Sequence, residues 1–561
     1  MTIKQNWLRR TGCDVRVRTL CGAAALALSV LLTAMPVKAQ DTTEYDVIIR
    51  GGRIVDGTGN PWFDGDVAIR AGRIAGVGRL PHQRAKRVID AKGLTVSPGF
   101  IDLHTHSDMT VLQDGNAESM IRQGVTLNVI GEGDSVAPRD GKTRPDPARP
   151  WTTFTGYFDE LTKRGVSINM ASFISYDQVR RAVMAYATRP ATPEELEAMK
   201  ALVARSMREG AMGLVGRFNT GGPRQPEEVI ELAKVTASYG GIYATHTGRQ
   251  GSQQTKEYAF AIRVAEEAKI PVHIYHVKII GDVNWGTLHK HLAQIEEARA
   301  RGLDVTANQY PYTAMHHGWD RFFPVWSQEM GPDQFVAYLT DPAAREKIKK
   351  DREFALLSSE HGGWDGIALG SADGPASQYA GMRLRDIAKK RGDADPAETA
   401  VTLMAQEKGH ISGVFHNQLE DDLQLALKRP WLAIASDGRA VNLTKPRNSH
   451  PRAYGTNVRV LGHYVRDLKV LTLEDAVRKM TSLPANILGL KDRGLLREGY
   501  AADVAVFDAA RVRDVATYTK PAAYPEGVPY VLVNGVVVID KGQHTGARPG
   551  RPLLGPGAVS Q

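Results

Sequence analysis

Cysteine is nearly absent from this sequence. The 561 residues contain two cysteines, Cys13 and Cys21, and both lie within the first 39 residues. The chain beyond residue 39 therefore has neither a disulfide nor a thiolate metal ligand. Its stability must come from a large apolar core, which a chain of this length can bury.

Long apolar runs are also scarce. The run from Leu20 to Met35 follows several basic residues and precedes the small-residue segment Val37-Lys38-Ala39. This order predicts a secretory signal peptide over residues 1–39. A membrane anchor is the alternative, but the run is shorter than the roughly 20 residues that span a bilayer. We therefore expect an exported, periplasmic or secreted protein with no membrane association after signal removal.

The excess of positive charge is also small. The formal net charge is +9, but the first 39 residues hold six Lys or Arg and one Asp, a net +5, so that +4 remains on the mature chain. Such a small excess gives no basis for binding nucleic acid. The expected partner is a small-molecule substrate, and the sequence leaves open whether the chain forms a homo-oligomer.

Short β-rich runs, separated by Gly and Asp turns, occupy both ends of the mature chain. In chain order they are residues 45–52, 66–69, 73–77, 502–507 and 531–538. Neither set of runs can bury both faces of a sheet by itself. We predict that residues 40–97 and 484–561 pair into one small β-sandwich domain, which brings the two ends together.

The middle of the chain, residues 98–483, alternates short β-branched runs with helical stretches such as Pro193 to Arg208. This alternation predicts an α/β fold with a parallel sheet, and the length suits a closed (β/α)8 TIM-like barrel. A doubly wound open sheet is the alternative. Residues 315–409 are rich in Trp and Gly and fit the alternation poorly. We predict that they form an insertion over the barrel mouth.

Two His-x-His patterns are candidates for a metal site. His104 and His106 follow an apolar strand-like run, where residues two apart project to the same side and could share one ion. His289 and His291 lie in an amphipathic stretch, where helical geometry places residues two apart on different faces. The first pair is therefore the candidate ligand pair, and we expect the second pair to be ordinary surface residues.

Four more strand-like runs end at residues that can bind a metal. The residues that follow these runs are Glu132, His246, His276 and Asp437. Each stands at the carboxyl end of its run, which is the catalytic face of a β/α barrel. Any single one could be an ordinary core or loop residue. All of them in barrel order, together with His104 and His106, predict a metal centre.

In this order the candidate ligands resemble those of the amidohydrolase superfamily. Within it, the chain is most similar to the D-aminoacylases, also called N-acyl-D-amino-acid deacylases. The segments that carry the likeness are Gly99 to Asp108, Tyr239 to His246, Asp304 to Tyr312, Ser436 to Gly438, His450 to Thr456, Arg493 to Asp508 and Val533 to Gly535. They extend over nearly the whole mature chain.

The resemblance implies a role for each candidate ligand. His104, His106 and Asp437 would hold one zinc-like ion, His246 and His276 would hold another, and Glu132 would bridge the two. A metal-bound hydroxide would then attack the carbonyl carbon of a linear amide. Asp437 would act first as general base and then as general acid toward the leaving nitrogen. The implied cofactor is Zn²⁺, one or two ions per subunit.

Three substrate contacts also follow from the resemblance. Lys278 resembles a lysine that contacts the substrate, and Tyr310 resembles the donor to the developing oxyanion. Arg452 resembles the arginine that binds the substrate's free carboxylate. Surface ion pairs are the alternative for Lys278 and Arg452. The implied activity is deacylation of N-acyl-D-amino acids; a dipeptide, a cyclic amide or an amide-linked toxin is the alternative substrate, and a binding protein without catalysis is the alternative class.

The chain departs from the D-aminoacylases at several points. Those enzymes commonly bridge their metals with a cysteine, whereas the matching stretch here offers Glu132, with Asp134 as the second candidate. A carboxylate bridge is less soft, which could shift the metal preference. Residues 175–180, 216–222 and the pair His316-His317 also differ from the family pattern, in loops that should contact the acyl group or side chain of the substrate. We therefore expect a divergent subgroup.

Overall fold

The structure is a computed structural model of the chain. It describes residues 44–559 except 82, 134, 140–148, 186, 188, 219–224, 249, 252–253, 329, 331 and 445–449. The predicted signal peptide, both cysteines, Asp134 and part of the 216–222 segment lie outside the described residues. None of the described helices has the length and apolar character needed to cross a membrane.

Strands and helices alternate along most of the described chain. The strands are β1 (Tyr45–Ile54), β2 (Phe63–Arg70), β3 (Arg73–Gly78), β4 (Ala85–Asp90), β5 (Thr95–Pro98), β6 (Phe100–Asp102), β7 (Val125–Ile130), β8 (Asn169–Ser172), β9 (Ile174–Ser175), β10 (Gly213–Phe218), β11 (Ile242–Thr247), β12 (Val272–Ile274), β13 (Val305–Gln309), β14 (Ala314–Gly318), β15 (Ile367–Ala372), β16 (Ile411–His416), β17 (Leu432–Ile434), β18 (Val504–Phe507), β19 (Tyr530–Val533), β20 (Val536–Asp540) and β21 (Gln543–His544). The α-helices are α1 (Thr110–Gln113), α2 (Glu118–Ile121), α3 (Phe154–Arg164), α4 (Tyr176–Met184), α5 (Pro193–Arg208), α6 (Pro226–Ser238), α7 (Gln254–Ala268), α8 (Leu288–Ala300), α9 (Val325–Gln328), α10 (Pro332–Tyr338), α11 (Pro342–Lys349), α12 (Arg352–Glu360), α13 (Gly363–Gly366), α14 (Leu384–Arg391), α15 (Pro396–Gln406), α16 (Glu420–Leu427), α17 (Arg452–Arg459), α18 (Leu473–Met480) and α19 (Ser482–Ile487).

The two ends of the described chain meet in one nine-stranded sheet. Its order is β21-β20-β19-β18-β5-β1-β2-β3, and β4 also pairs with β1. The junction is antiparallel, with Val96 of β5 opposite Val506 of β18. Apolar residues of both ends pack in one core cluster on this sheet, among them Ile49, Val96 and Val504. The division into a sandwich domain with the bounds 40–97 and 484–561 stays a prediction.

The middle of the chain is built from parallel strands. Six of them form a sheet in the order β17-β13-β12-β11-β10-β9, and three form a second sheet in the order β6-β7-β8. The neighbouring strands in both sheets run parallel. Parallel strands joined through helices confirm the predicted α/β fold.

Individual hydrogen bonds and a bridge connect the two parallel sheets at both of their edges. Phe173 lies between β8 and β9, and its N–H donates to the carbonyl oxygen of Ile130 at 2.8 Å. At the opposite edge Thr105 and Gly438 form a parallel bridge. The regular pairing still consists of two sheets, so a single closed ring of eight strands stays a prediction.

Helix α5 illustrates how local sequence sets an element of this layer. Thr192 accepts a hydrogen bond from the N–H of Glu195, whose side chain in turn accepts from the N–H of Thr192. This capping box satisfies backbone donors that the first turn leaves unpaired, and Pro193 suits the first helical position. Met199 and Val203, four residues apart, are buried on one face.

The insertion has a sheet and an aromatic core of its own. Strands β14, β16 and β15 make an antiparallel sheet in that order. Along the chain, helices α9 to α13 lie between β14 and β15, and helices α14 and α15 lie between β15 and β16. Its aromatic core includes Trp319, Phe322, Phe354 and Phe415. The sheet spans residues 314–416 and so extends beyond the predicted 315–409, because the central strand β16 returns after the last insertion helix.

Candidate metal centre

His104 and His106 lie just beyond the end of β6, on backbone that its neighbours hold in place. The N–H of Asp437 donates to the carbonyl oxygen of His104 at 2.9 Å, and the N–H of His106 donates to that of Gly438 at 2.8 Å. The N–H of Thr105 donates to Val129 of β7 at 2.9 Å. The strand ends on both sides therefore fix the position of this histidine pair.

Two carboxylates face the histidine pair. Nε2 of His106 lies 2.9 Å from Oδ1 of Asp437 and 3.2 Å from Oε2 of Glu132. Nε2 of His104 lies 3.5 Å from the same two oxygen atoms. Side chains that are 331 positions apart in the chain, such as His106 and Asp437, thus converge on a single point.

Two more histidines complete the cluster. Ligand atoms of His104, His276 and Asp437 all lie within 4.8 Å of one another, and so do those of His104, His106 and Glu132. The His246 ring packs edge-on against the His276 ring, with 4.5 Å between their centroids. The structure therefore brings together all six residues that the sequence predicted as ligands.

The donors in this cluster fit a divalent metal. Four imidazoles and two carboxylates are ligand types that zinc and similar ions use. Neither ring nitrogen of His104 makes a hydrogen bond to any described residue, although the side chain is 1% exposed. A buried imidazole normally has a hydrogen-bond partner, so a nitrogen without one, facing two carboxylates, is suited to bind a cation.

Charge states in the cluster also favour metal binding. Burial raises the pKa of Asp437, but the charges of Arg452 and His104 and the hydrogen bond with His106 lower it more, and the net pKa lies well below the usual value. Burial lowers the pKa of His276 well below its usual value. Asp437 is therefore a carboxylate and His276 is neutral near pH 7, which are the forms that bind metals.

Two of the predicted ligands have unusual backbone conformations. The φ angle is +36° at His276 and +50° at Asp437, in a region that residues with a Cβ atom seldom adopt. The N–H of His276 donates to Oδ1 of Asn308 at 2.8 Å, which holds one of these conformations. Such strain often occurs where side chains are positioned for chemistry.

The three predicted substrate contacts lie beside the cluster. The Lys278 Nζ atom is 4.7 Å and the Arg452 Cζ atom 5.1 Å from the centre of the Tyr310 ring. Nη1 of Arg452 donates to Oδ2 of Asp437 at 2.7 Å. Lys278 is 4% exposed and Arg452 7% exposed, so the alternative of surface ion pairs is wrong for both. Burial lowers the pKa of Lys278 to about 7, against the opposing effect of Asp437.

The insertion reaches the same region through His316 on β14. Nε2 of His316 lies 3.2 Å from Oγ of Ser412 on β16. Burial and, to a smaller extent, the nearby charge of Arg452 lower the pKa of His316 to about 3. His316 is therefore a neutral imidazole that the insertion holds close to Arg452.

Sequence reasoning missed several residues that contact the predicted ligands. Oδ1 of Asp102 accepts hydrogen bonds from the N–H groups of His104 and Ser436, at 3.2 and 3.0 Å. The Tyr275 ring stacks on His104 with 4.0 Å between centroids. The side-chain amide of Gln250 is hydrogen-bonded to Nδ1 of His276 at 2.8 Å. Asp102 lies within the quoted family motif, but nothing in the local pattern identifies Gln250.

The second His-x-His pattern lies on helix α8, as predicted, but only half of it is at the surface. His289 is exposed, with Nδ1 2.8 Å from the carbonyl oxygen of Gly286. His291 is 6% exposed and packs edge-on against Tyr258, with 5.6 Å between centroids. The prediction of two surface residues is therefore wrong for His291, which lies on the buried face of the helix.

Comparison with known proteins places the chain in a family. The profile of the amidohydrolase family matches residues 87–356 and 384–539. A D-aminoacylase from Alcaligenes xylosoxydans xylosoxydans is 34% identical over 524 residues, which cover 91% of this chain and 98% of that enzyme. An N-acyl-D-glutamate deacylase from the same organism is 31% identical and covered to 96%. The chain belongs to the amidohydrolase family.

Solved structures agree with this assignment. A crystal structure of D-aminoacylase superposes with a TM-score of 0.76 at 32% identity and covers 91% of this chain and 100% of its own. The N-acyl-D-glutamate deacylase from Bordetella bronchiseptica, solved with zinc and a phosphonate inhibitor, superposes at 0.78 with 28% identity and the same coverage. The likeness to D-aminoacylases is confirmed, and the protein is an enzyme that acts on carbon–nitrogen bonds other than peptide bonds.

Proposed function

We propose that this protein is an exported zinc enzyme that deacylates N-acyl-D-amino acids. The observation that carries the proposal is the convergence of six side chains of metal-ligand type near the ends of parallel strands, with Lys278, Tyr310 and Arg452 of helix α17 beside them. The names of the relatives, D-aminoacylase and N-acyl-D-glutamate deacylase, support the substrate class. A polar cluster of this kind on a buried scaffold is the expected form of a hydrolytic site.

We assign the metal to the side chains of the cluster. His104, His106, His246, His276, Glu132 and Asp437 would hold it, with Glu132 as the bridge between two ions. The bound metal supplies Lewis acidity, which polarises the amide carbonyl and makes water a nucleophile near neutral pH. A homologous D-aminoacylase was described with a binuclear metal centre, which supports two positions.

Asp437 is the proposed proton carrier. Its Oδ1 contacts His106 and its Oδ2 accepts a hydrogen bond from Arg452, so the carboxylate is held in one orientation. It would take a proton from the attacking water and then donate it to the amide nitrogen. An amine leaves poorly unless it is protonated, so both transfers are needed for cleavage.

Tyr310 and Arg452 position the substrate in this proposal. Burial raises the pKa of Tyr310, so its hydroxyl stays protonated and can donate to the oxyanion that forms at the carbonyl. Nε2 of Gln418 lies 3.2 Å from that hydroxyl and orients it. Arg452 has guanidinium donors besides the one bound to Asp437, and these suit a free carboxylate. Lys278, whose Nζ atom lies 4.7 Å from the centre of the Tyr310 ring, would also contact the substrate.

The proposal also includes a closed barrel, a β-domain made from both chain ends, and export of the protein. The connections at Phe173 and at Thr105 support a closed (β/α)8 barrel made from the two parallel sheets. The pairing of β5 with β18 supports a separate β-domain built from both chain ends. The residue pattern of segment 1–39 supports export to the periplasm or the medium.

A substrate panel on the purified protein tests the proposal. The panel compares N-acetyl-D and N-acetyl-L forms of Leu, Met, Phe, Glu and Asp with dihydrouracil and a lactone, at defined metal content. We expect release of the free amino acid from D forms. Release from L forms alone would overturn the D-aminoacylase assignment while leaving amide hydrolysis in place, and cleavage of dihydrouracil alone would identify a cyclic-amide hydrolase.

A further inference from the structure

A cavity of about 380 Å³ lies outside the metal centre, between the insertion sheet and residues 517–521. None of the proposed metal ligands or substrate contacts lines it. Small-molecule sites typically have volumes of roughly 300–1,000 Å³. The cavity is therefore large enough for an organic ligand that does not occupy the metal centre.

The lining combines an apolar floor with a few polar groups. Buried side chains of Ala368 and Val414, paired across β15 and β16, form the floor, and Pro521 adds an apolar wall. Gly370 lines the cavity at a register shift of β15, between Leu369 and Ser371. Irregularities of this kind frequently occur beside functional sites. An apolar lining selects for a ligand with a hydrocarbon part.

A cation lies at the polar side of the cavity. Arg383 is half-buried, and Nη1 donates to the carbonyl oxygen of Gly366 at 2.8 Å. Among the described residues, no carboxylate oxygen forms an ion pair with Arg383, whereas the neighbouring Arg385 pairs with Asp365. Arg383 thus brings its charge and further N–H donors to the lining, which suits a planar anion such as a carboxylate.

His416 adds a second hydrogen-bonding group. Burial and, to a smaller extent, the charge of Arg383 lower the pKa of His416 to about 4, so the imidazole is neutral near pH 7. Its ring packs against Tyr518, with 4.6 Å between centroids, and Tyr518 also packs against His450 at 5.3 Å. Tyr518, which lines the cavity, therefore packs against both His416 and His450.

We propose that this cavity binds a small organic monocarboxylate, with Arg383 and His416 on the carboxylate and the apolar floor under its chain or ring. A dicarboxylate fits less well, because the floor offers no second cation. The acid that amide hydrolysis releases belongs to this ligand class, but binding to the cavity does not require turnover and does not depend on the proposed substrate.

Equilibrium binding to the full-length folded protein tests the site, with sodium hexanoate as probe and the uncharged hexanamide for comparison. Isothermal titration should detect hexanoate and give at least about tenfold weaker binding of hexanamide. Arg383→Met should weaken hexanoate binding by about tenfold or more, the effect of losing a charge-assisted hydrogen bond. Arg385→Met, which removes an exposed arginine two positions away, should leave the affinity unchanged.

Two further variants separate the cavity from the metal centre. Arg452→Met should retain hexanoate binding, and loss of binding in that variant would place the acid in the metal centre and overturn the proposal. Equal affinity in the wild type and in Arg383→Met would also overturn it. If Arg383→Met fails to fold, as judged by circular dichroism, His416→Phe gives the second test with an expected weakening of about threefold or more.

Discussion

The two His-x-His segments have the same local pattern and different surroundings. His104 and His106 follow a strand, lie side by side, and face two carboxylates at 2.9 to 3.5 Å. His289 and His291 lie on a helix, where one ring is exposed and the other packs on Tyr258. The comparison shows that a His-x-His pair forms a candidate metal site only where other strands contribute further ligand side chains.

The largest effect should come from removing the carboxylate that completes the first pair. Asp437→Asn keeps the size of the side chain but removes its ability to accept and return a proton. We expect kcat to fall by about a hundredfold to ten-thousandfold, the usual contribution of a general acid–base group. Steady-state kinetics on the preferred D-substrate measure this, with circular dichroism as the folding control. Activity within about threefold of wild type would overturn the assigned role.

The two histidine pairs can then be compared directly. His106→Asn removes one donor from the cluster, and we expect metal affinity in a chelator competition to fall by about a hundredfold, because each ligand contributes strongly to a site of this type. His289→Asn is the matched control on the helix and should bind metal like the wild type. Similar metal loss in both variants, or in neither, would contradict the distinction between the pairs.

Arg452 tests whether the strand-end site recognises a free carboxylate. Arg452→Met removes the donor to Asp437 and the proposed substrate contact, and we expect kcat/KM to fall by about tenfold to a hundredfold. A substrate whose free carboxylate is converted to an amide should lose far less on this substitution. Equal losses for the acid and the amide would show that Arg452 acts only on Asp437.

The smallest effects belong to the helix pair. His291→Ala removes a buried ring, and we expect the free energy of unfolding to fall by about 1–3 kcal/mol. His289→Ala should change it by less than about 0.5 kcal/mol, as is usual at an exposed position. Chemical denaturation measures both, and the activity per folded molecule should stay at the wild-type level. A loss of metal in His291→Ala would contradict its structural role.

Many of the candidate ligands could be predicted because each follows a short apolar run that is recognisable in the local sequence. An apolar run that ends at Glu132 or Asp437 predicts a strand with a polar residue at its carboxyl end. The supporting residues carry no such signal. Gln250 is hydrogen-bonded to His276 across a loop, and Asp102 connects the backbone of His104 to that of Ser436. Each of these contacts joins separate segments of the chain.

The sequence by itself determined the α/β class and the polar residues that end the apolar runs. It also determined which of the two His-x-His pairs follows a strand. These features depend on periodicity over a few positions. Tertiary structure alone decided that Arg452 binds Asp437, that His291 is buried, and that β5 pairs with β18. The physical reason is that these contacts depend on register and packing between distant segments, on which local propensity has no influence.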